Sequence, residues 1–498
     1  MRARSAHCPP GGRRSCGAAH LQRPVHQIRS LLQSTRGTQS HGSQAAPGRL
    51  TGYFFPRRIG GSVIPKFGAR VSAASIGLLT VVALGLTGCT GSDADAGSAA
   101  LSTMPTETSE QVSAAVANAL GASRSTEAVI GVWAPWSGDL VQAYATEGDP
   151  QANADSAIRG AQASQPVVCA LLLAMVEDGQ VTLDREVSKD LTRQVGIDGL
   201  TYRQLCDGTS GLADFKGPFA DIFVNNPTRP WPIRELLAQG IATSPLSWPG
   251  LDVHISDTDA AMLGRALSVR SGVDLADLLE QYVYEPAGMA HSSLPGTDDV
   301  TLSGNHLEGI SFPSAGGAPV CDVEPAPVEK VSPSMLSGAG ATVTTVTDLK
   351  NFYASYLGGD FESEKTQGVT TEVRPTKNPE RDAEGNPIAE VTDSPSNWGF
   401  GVEQVGPLWG RSGSMPGSST AAFHDPSSGF TVVVALNNAG SGQSIARALA
   451  FQIAAIVAAG QPGELEIPWT AEERAAQIAE AAICPVVVEA PAEEAPAE

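Results

Sequence analysis

The sequence predicts an α+β fold: one antiparallel sheet built from both ends of a domain, flanked by helices, with a mainly helical subdomain beside it. Three observations carry this. Strand patterns frame the domain, over Ala128–Ala145 near its start and Asn397–Asn437 near its end. Residues 180–290 between them read as helical patterns broken by Pro/Gly loops. The chain, at 498 residues, exceeds what one simple core organises and carries no internal repeat. Strands at both ends with helices between favour a single sheet closed by its termini, the helical insert packing against it.

The elements follow in order. Residues 1–62 are rich in Arg, Gln, Ser and Gly, without apolar period, and read as a doubtful or disordered extension; the expected translation start lies downstream, at Val63 through a non-Met codon. Of the 32 basic residues, 12 fall in residues 1–88, where no acidic residue occurs; the other 20 face 53 acidic residues from Cys89 onward, a net charge near −33. An acidic body of this size repels nucleic acid and anionic lipid surfaces, and a basic leader ahead of it is what export machinery reads. Within residues 63–88, Lys66 and Arg70 precede the uncharged run Val71–Leu86, too short for a good membrane span. The run ends Leu86-Thr87-Gly88-Cys89, which resembles a bacterial lipobox. That resemblance implies a lipoprotein signal peptide, lipidation of Cys89, and an exported protein anchored to the outer face of the cytoplasmic membrane. The polar tether of residues 89–110 suits an anchored protein better than the alternative, an ordinary signal peptide with a chance Cys.

The domain is expected over 111–460. Glu110–Leu120 has helical spacing, and Ala128–Ala145 reads as two strands around Ser137-Gly138-Asp139. Gln165–Asp178 is an apolar helix with Pro166 in its first turn and Gly179 at its end. Residues 360–396 are polar and predict a long surface loop. Trp398–Val405, Ser419–His424 and Phe430–Leu436 predict strands, and Ile445–Ala458 a helix. The acidic Ala/Pro/Glu tail, 461–498, is expected to be mobile apart from a short helix near Ala471–Ala482 and the stretch around Cys484. Cys169, Cys206, Cys321 and Cys484 form an even set in an exported chain, which suggests disulfides with three possible pairings. No His stands at ligand spacing near any Cys, so neither a metal nor a cofactor is expected.

Several segments resemble the β-lactamase/penicillin-binding serine hydrolases (class C β-lactamase, DD-peptidase and esterase types), in that family's order over roughly residues 112–460. They are Val176-Glu-Asp-Gly-Gln-Val-Thr-Leu-Asp184, Leu200-Thr-Tyr-Arg-Gln-Leu-Cys-Asp-Gly-Thr-Ser-Gly-Leu212, Pro286-Ala-Gly-Met289, Gly338–Phe352 and Trp409-Gly-Arg-Ser-Gly-Ser-Met-Pro-Gly417. The resemblance implies a β-lactamase/transpeptidase-like fold with a groove between sheet and helical subdomain. It favours the pairing Cys169–Cys206, whose segments touch in that family, leaving Cys321–Cys484 to staple the tail.

The family's three catalytic motifs are degenerate here. An active member needs S-x-x-K, a nucleophile at a helix start with its base one turn on. Counting back from Gly179 puts Gln162 and Gln165 in those slots, and an amide neither attacks a carbonyl nor takes a proton. No S-x-x-K occurs anywhere in the chain. Ser156, in the formal S-x-x-R Ser156–Arg159, and Ser164 are the serines left to weigh, and the plain expectation for both is a polar residue near the helix start. The Y-x-N slot falls on Ile255-Ser256-Asp257, with Ile255 expected in the core. The K-T-G slot reads Arg411-Ser412-Gly413, where Arg411 is expected either in a surface ion pair or on a ligand carboxylate. The expected function is that of an inactive cell-surface scaffold. Its groove, formed by Gln162, Gln165, Ser256, Asp257, Arg411 and Ser412, would bind a peptide, a peptidoglycan-like fragment or a small molecule. The competing expectation is an active hydrolase (β-lactamase, D-Ala-D-Ala carboxypeptidase or esterase) with displaced catalytic residues.

Overall fold

The computed structural model describes residues 103–485. The extension, the signal peptide and Cys89 lie outside the described residues.

Helix α1 (Thr106–Ser123) repeats Val112, Ala115, Val116, Ala119 and Leu120 on one buried face. It begins inside the stretch expected as tether. Strands β1 (Glu127–Ala134) and β2 (Gly138–Ala145) form the first hairpin. The short β3 (Ile158–Arg159) leads into a 3₁₀ turn, Ala161–Ser164, and helix α2 (Val167–Glu177). The helix therefore starts two residues later than the sequence suggests, because the chain first winds more tightly around Gln162. Gly179, at φ +69°, ends it in the left-handed conformation, its N–H returning to the Val176 carbonyl. The helical subdomain holds α3 (Tyr202–Cys206), α4 (Lys216–Asn225), α5 (Ile233–Ala242), α6 (Asp257–Ser271) and α7 (Leu275–Leu279). Two small hairpins follow: β4 (Gly309–Ser311) pairs with β7 (Ala326–Val328), and β5 (Ser314–Ala315) with β6 (Ala318–Pro319). Then β8 (Val343–Thr344) pairs back with β3 and leads into α8 (Val346–Gly358).

The polar loop carries only β9 (Arg374–Pro375) before β10 (Asn397–Trp398), β11 (Glu403–Val405), β12 (Leu408–Met415), β13 (Ser418–His424) and β14 (Thr431–Leu436). The eight-stranded antiparallel sheet runs β2-β1-β14-β13-β12-β11-β10-β9. Strand β14 joins the two chain ends, pairing Ala128 with Leu436 on one side and Ser419 with Leu436 on the other. Its run Thr-Val-Val-Val-Ala-Leu is buried throughout because both faces are covered. Val432, Val434 and Leu436 pack toward α1 and α9 (Ser444–Gly460); Val433 and Ala435 face the core shared with α2 and α8.

The tail holds the short helix expected near Ala471–Ala482, and its anchoring extends to Leu465 and Trp469, which were expected to be mobile. Leu465, Trp469 and Ile478 are buried, the Trp469 indole donates to the Phe451 carbonyl at 3.0 Å, and α10 (Ala471–Glu480) opens with a Thr470/Glu473 capping box. Three apolar anchors outweigh the polar composition. The disulfides join Cys169 to Cys206 and Cys321 to Cys484, the pairing the resemblance favoured.

Candidate functional site

The starts of α2 and α6, the edge of β12 and the turn before α4 converge on a cleft of about 950 Å³. Ala161, at φ +45°, bends the chain just before Gln162. A residue with a Cβ takes that conformation at about 1–2 kcal/mol, and the bend aims Gln162 at the cleft. Ser256 caps α6 by accepting from the Thr258 N–H at 3.1 Å, which sets Asp257 in the first turn, where a negative charge favours the helix.

Gln162, Gln165 and Asp257 form a closed polar knot. The Gln162 amide nitrogen donates to Asp257 Oδ2 at 2.5 Å, and that of Gln165 to Oδ1 at 2.9 Å and to the Ala339 carbonyl at 3.2 Å. Each amide oxygen then faces a cation. Arg411 Nη2 donates to Gln165 Oε1 at 2.5 Å; Lys216 Nζ lies 3.4 Å from Gln162 Oε1, which also accepts the Ser414 backbone N–H at 2.9 Å. Donors and acceptors thus alternate along Arg411–Gln165–Asp257–Gln162–Lys216, and this order dictates which way each amide points. Gln162, Gln165, Asp257 and Arg411 are 4, 5, 4 and 8 % exposed. Gly413 is the place where strand and turn touch: a Cβ there would stand 2.1 Å from Gln162 Oε1 and 2.4 Å from its backbone nitrogen, so no side chain fits.

The structure corrects several expectations. Ile255 is 41 % exposed and lines the cleft instead of joining the core, because it precedes the α6 cap at the lip. Arg411 is not a surface ion pair: its guanidinium lies 4.7 Å over the Trp398 ring, no carboxylate comes within ion-pair distance among the described residues, and its Nε has no partner. Two residues expected to form the groove do not line the cleft: Ser256 serves the helix end, and Gln165 is buried, bonded to Asp257 and Arg411. Ser412 does line it, bonded to Gln443 Oε1 at 3.2 Å. Ser156 and Ser164 are buried, their hydroxyls donating to Asn305 and to the Ala161 carbonyl, so neither faces the cleft. No tyrosine lines the cleft, and no cluster of metal-binding side chains occurs, among the described residues.

Asp214, Lys216 and Ser414 were missed by the sequence reading. Lys216 Nζ donates to the Ser414 carbonyl at 2.5 Å and stands 3.5 Å from the Ser414 hydroxyl. Burial pushes its amine below the ordinary lysine range, against the pull of Asp257 and Asp214. Asp214 keeps an open surface at the cleft mouth, yet the protein packed around it and the Asp257 charge push its carboxyl up to about 7. The one available signal was position: Lys216 follows Thr209-Ser-Gly-Leu212, a motif segment, by four residues.

A family model described as Beta-lactamase matches residues 108–455. Solved structures with a similar fold include a D-stereospecific amidohydrolase from a Streptomyces species (20 % identity, TM-score 0.56, covering 70 % of this chain and 98 % of that one). The D-amino acid amidase of Ochrobactrum anthropi SV3, solved with L-phenylalanine amide, follows at 16 % identity and TM-score 0.53, over 67 % and 92 % of the two chains. The octameric penicillin-binding protein homologue of Pyrococcus abyssi matches at 17 % identity and TM-score 0.57, over 74 % and 80 %.

Proposed function

Because the chain belongs to the β-lactamase family, we propose that it keeps the family's cleft for non-covalent binding of a carboxylate-bearing peptide or cell-wall-like ligand, as a lipoprotein held at the cell surface through Cys89. The knot of Gln162, Gln165 and Asp257 carries this reading. Acyl transfer needs a hydroxyl and a base in these two slots, and both are filled by amides already satisfied by partners. The Gln162 carbonyl occupies the Ser414 N–H, a donor that a bound carbonyl would otherwise use. Arg411, a buried cation that lines the cleft and has no carboxylate within ion-pair distance among the described residues, is the natural anchor for a ligand carboxylate. Similarity to amidases and a penicillin-binding homologue points toward ligands of amide or peptide character.

The test is calorimetric titration of the purified protein with N-acetyl-D-alanyl-D-alanine, alongside a chromogenic β-lactam and nitrophenyl esters. Binding without turnover is expected, and Arg411→Gln is expected to weaken binding about 10- to 100-fold, the worth of a charge-assisted hydrogen bond. Binding is also expected to tighten about three- to tenfold from pH 8.5 to 5.5. Asp214 gains its proton on passing through about 7, which removes one negative charge beside Lys216, Asp257 and Arg411. Asp214→Asn flattens the part of the profile near pH 7.

A second reading rests on the Ser414–Lys216 pair. A neutral amine has two N–H donors and one lone pair. At Lys216 the donors would suit the Ser414 and Gln162 carbonyl oxygens, leaving the lone pair for the Ser414 hydroxyl at 3.5 Å. That is the arrangement of a displaced nucleophile and base, with a long contact. Fluorophosphonate labelling that disappears in Ser414→Ala would establish it and end the non-covalent reading; an unlabelled protein leaves the first reading standing.

A further inference from the structure

A second concave site lies on the helical subdomain and shares no lining residue with the cleft. It encloses about 430 Å³ between residues 190–194, the first turn of α5 and the second half of α6. Arg193, Arg234 and Arg265 line it, one from each segment, and Asp190 is the acidic residue of the wall.

Asp190 does not neutralise these three. Its carboxylate accepts from Arg185 Nε and Nη2 at 2.7 and 2.9 Å and from the Tyr202 hydroxyl at 2.9 Å, and Arg270 stands 3.8 Å away. Its charge is engaged by two other cations. Among the described residues, no carboxylate comes within ion-pair distance of Arg193, Arg234 or Arg265, in a chain with 53 acidic residues against 32 basic ones. The grouping carries a cost. Arg234 is the second residue of α5, where a cation opposes the helix dipole. Burial and the Arg234 charge together hold the Arg265 guanidinium below its ordinary value. A bound anion would relieve both.

A guanidinium offers N–H donors in a planar fork and no acceptor, so the wall calls for an oxyanion. Three forks exceed what the two oxygens and single charge of a carboxylate engage, whereas a phosphate ester brings nearly two charges and three free oxygens. The volume falls among small-ligand sites, roughly 300–1,000 Å³, and leaves room for more than a bare phosphate. Leu191 and Val269 supply apolar wall, and Thr192 and Gln194 polar groups, for the body that carries it. We propose that this pocket binds a small phosphomonoester, of about sugar-phosphate size, with its phosphate among Arg193, Arg234 and Arg265. The site is separate from the cleft and does not depend on how the cleft is read.

Glucose 6-phosphate, titrated calorimetrically into the purified protein at low ionic strength, is expected to bind, and glucose is not. Glucuronate, with one charge on a similar ring, is expected to bind at least about tenfold more weakly than the ester. Arg234→Gln and Arg265→Gln, each verified as folded by its thermal melt, are expected to weaken the ester about 10- to 100-fold, and Arg411→Gln in the cleft to leave it unchanged. No response to the ester, or one that survives both pocket variants, overturns the proposal. Loss confined to Arg411→Gln places the ester in the cleft and overturns it as well. Glucuronate binding as tightly as the ester overturns the phosphate assignment. Binding to phosphatidylglycerol vesicles without binding to glucose 6-phosphate assigns the three arginines to a lipid surface and ends the soluble-ester proposal.

Discussion

Replacing Asp257 by alanine is expected to destabilise the fold by about 3–5 kcal/mol, far more than the loss of one surface carboxylate. The side chain is buried and serves three demands at once. It accepts from the amide nitrogens of Gln162 and Gln165; after truncation the Gln162 amide loses its one acceptor, and each orphaned buried donor costs about 1–3 kcal/mol. Its charge offsets the two cations at the ends of the chain, Lys216 and Arg411, for both of which it is the leading favourable charge. Leaving buried cations without that counter-charge resembles breaking a buried ion pair. It also stands at the start of α6, where a negative charge is favoured. Asp257→Asn preserves the shape but sets an N–H against an N–H, so it recovers only part of the loss. Urea denaturation at pH 7 reads the difference. A loss under about 1 kcal/mol for alanine would mean that the two amides satisfy themselves elsewhere and that the knot does not organise the cleft.

The sheet was legible because its strands advertise themselves locally. Val432–Leu436 is continuously apolar, Glu127–Ala134 carries the hairpin pattern, and chain order alone suggests that the two meet. The slots Gln162, Gln165, Asp257, Arg411 and Gly413 follow from spacing to the motif segments; of these, Gln162, Asp257 and Arg411 line the cleft, whereas Gln165 is bonded to Asp257 and Arg411 without lining it, and Gly413 packs against Gln162. Local pattern fails where partners lie far apart in the chain. Lys216 meets Ser414 across 198 positions and Gln162 across 54, whereas the S-x-x-K pattern marks only a base one turn from its nucleophile. Ile255 looks like core by type, yet its position before the Ser256 cap leaves it at the lip. Residues 461–470 look mobile by composition, but Leu465 and Trp469 are buried, the Trp469 indole donating to the Phe451 carbonyl of α9.

Restoring the lost motif by the double change Gln162→Ser and Gln165→Lys is expected to raise covalent labelling by a fluorescent penicillin by at least about a thousandfold over the native chain, without matching turnover. Removal of a nucleophile and its base accounts for about 10⁶ in rate in a hydrolase, so returning both reverses a large deficit. The exchange acts twice. A hydroxyl appears at the start of the α2 region, and the Gln162 carbonyl leaves the Ser414 N–H, which becomes free to stabilise an oxyanion, a role worth about 10²–10³ for a single donor. The new lysine would sit between Asp257 and Arg411, where Gln165 now bonds both, so the attraction of the carboxylate for its proton is opposed by the neighbouring guanidinium. Turnover stays low because Ile255 has no proton to relay to the leaving group or from the incoming water. Adding Ile255→Tyr to the double variant is expected to speed release of the adduct, since that position already faces the cleft. Gel fluorescence against time, with the adduct located by mass spectrometry, checks all three proteins. Native protein labelled as fast as the double variant would mean that another hydroxyl, with Ser414 the first to examine, already performs the attack, and the inert reading of the cleft would be wrong. A folded double variant that stays dark would show that the two slots do not occupy the positions from which acyl transfer proceeds.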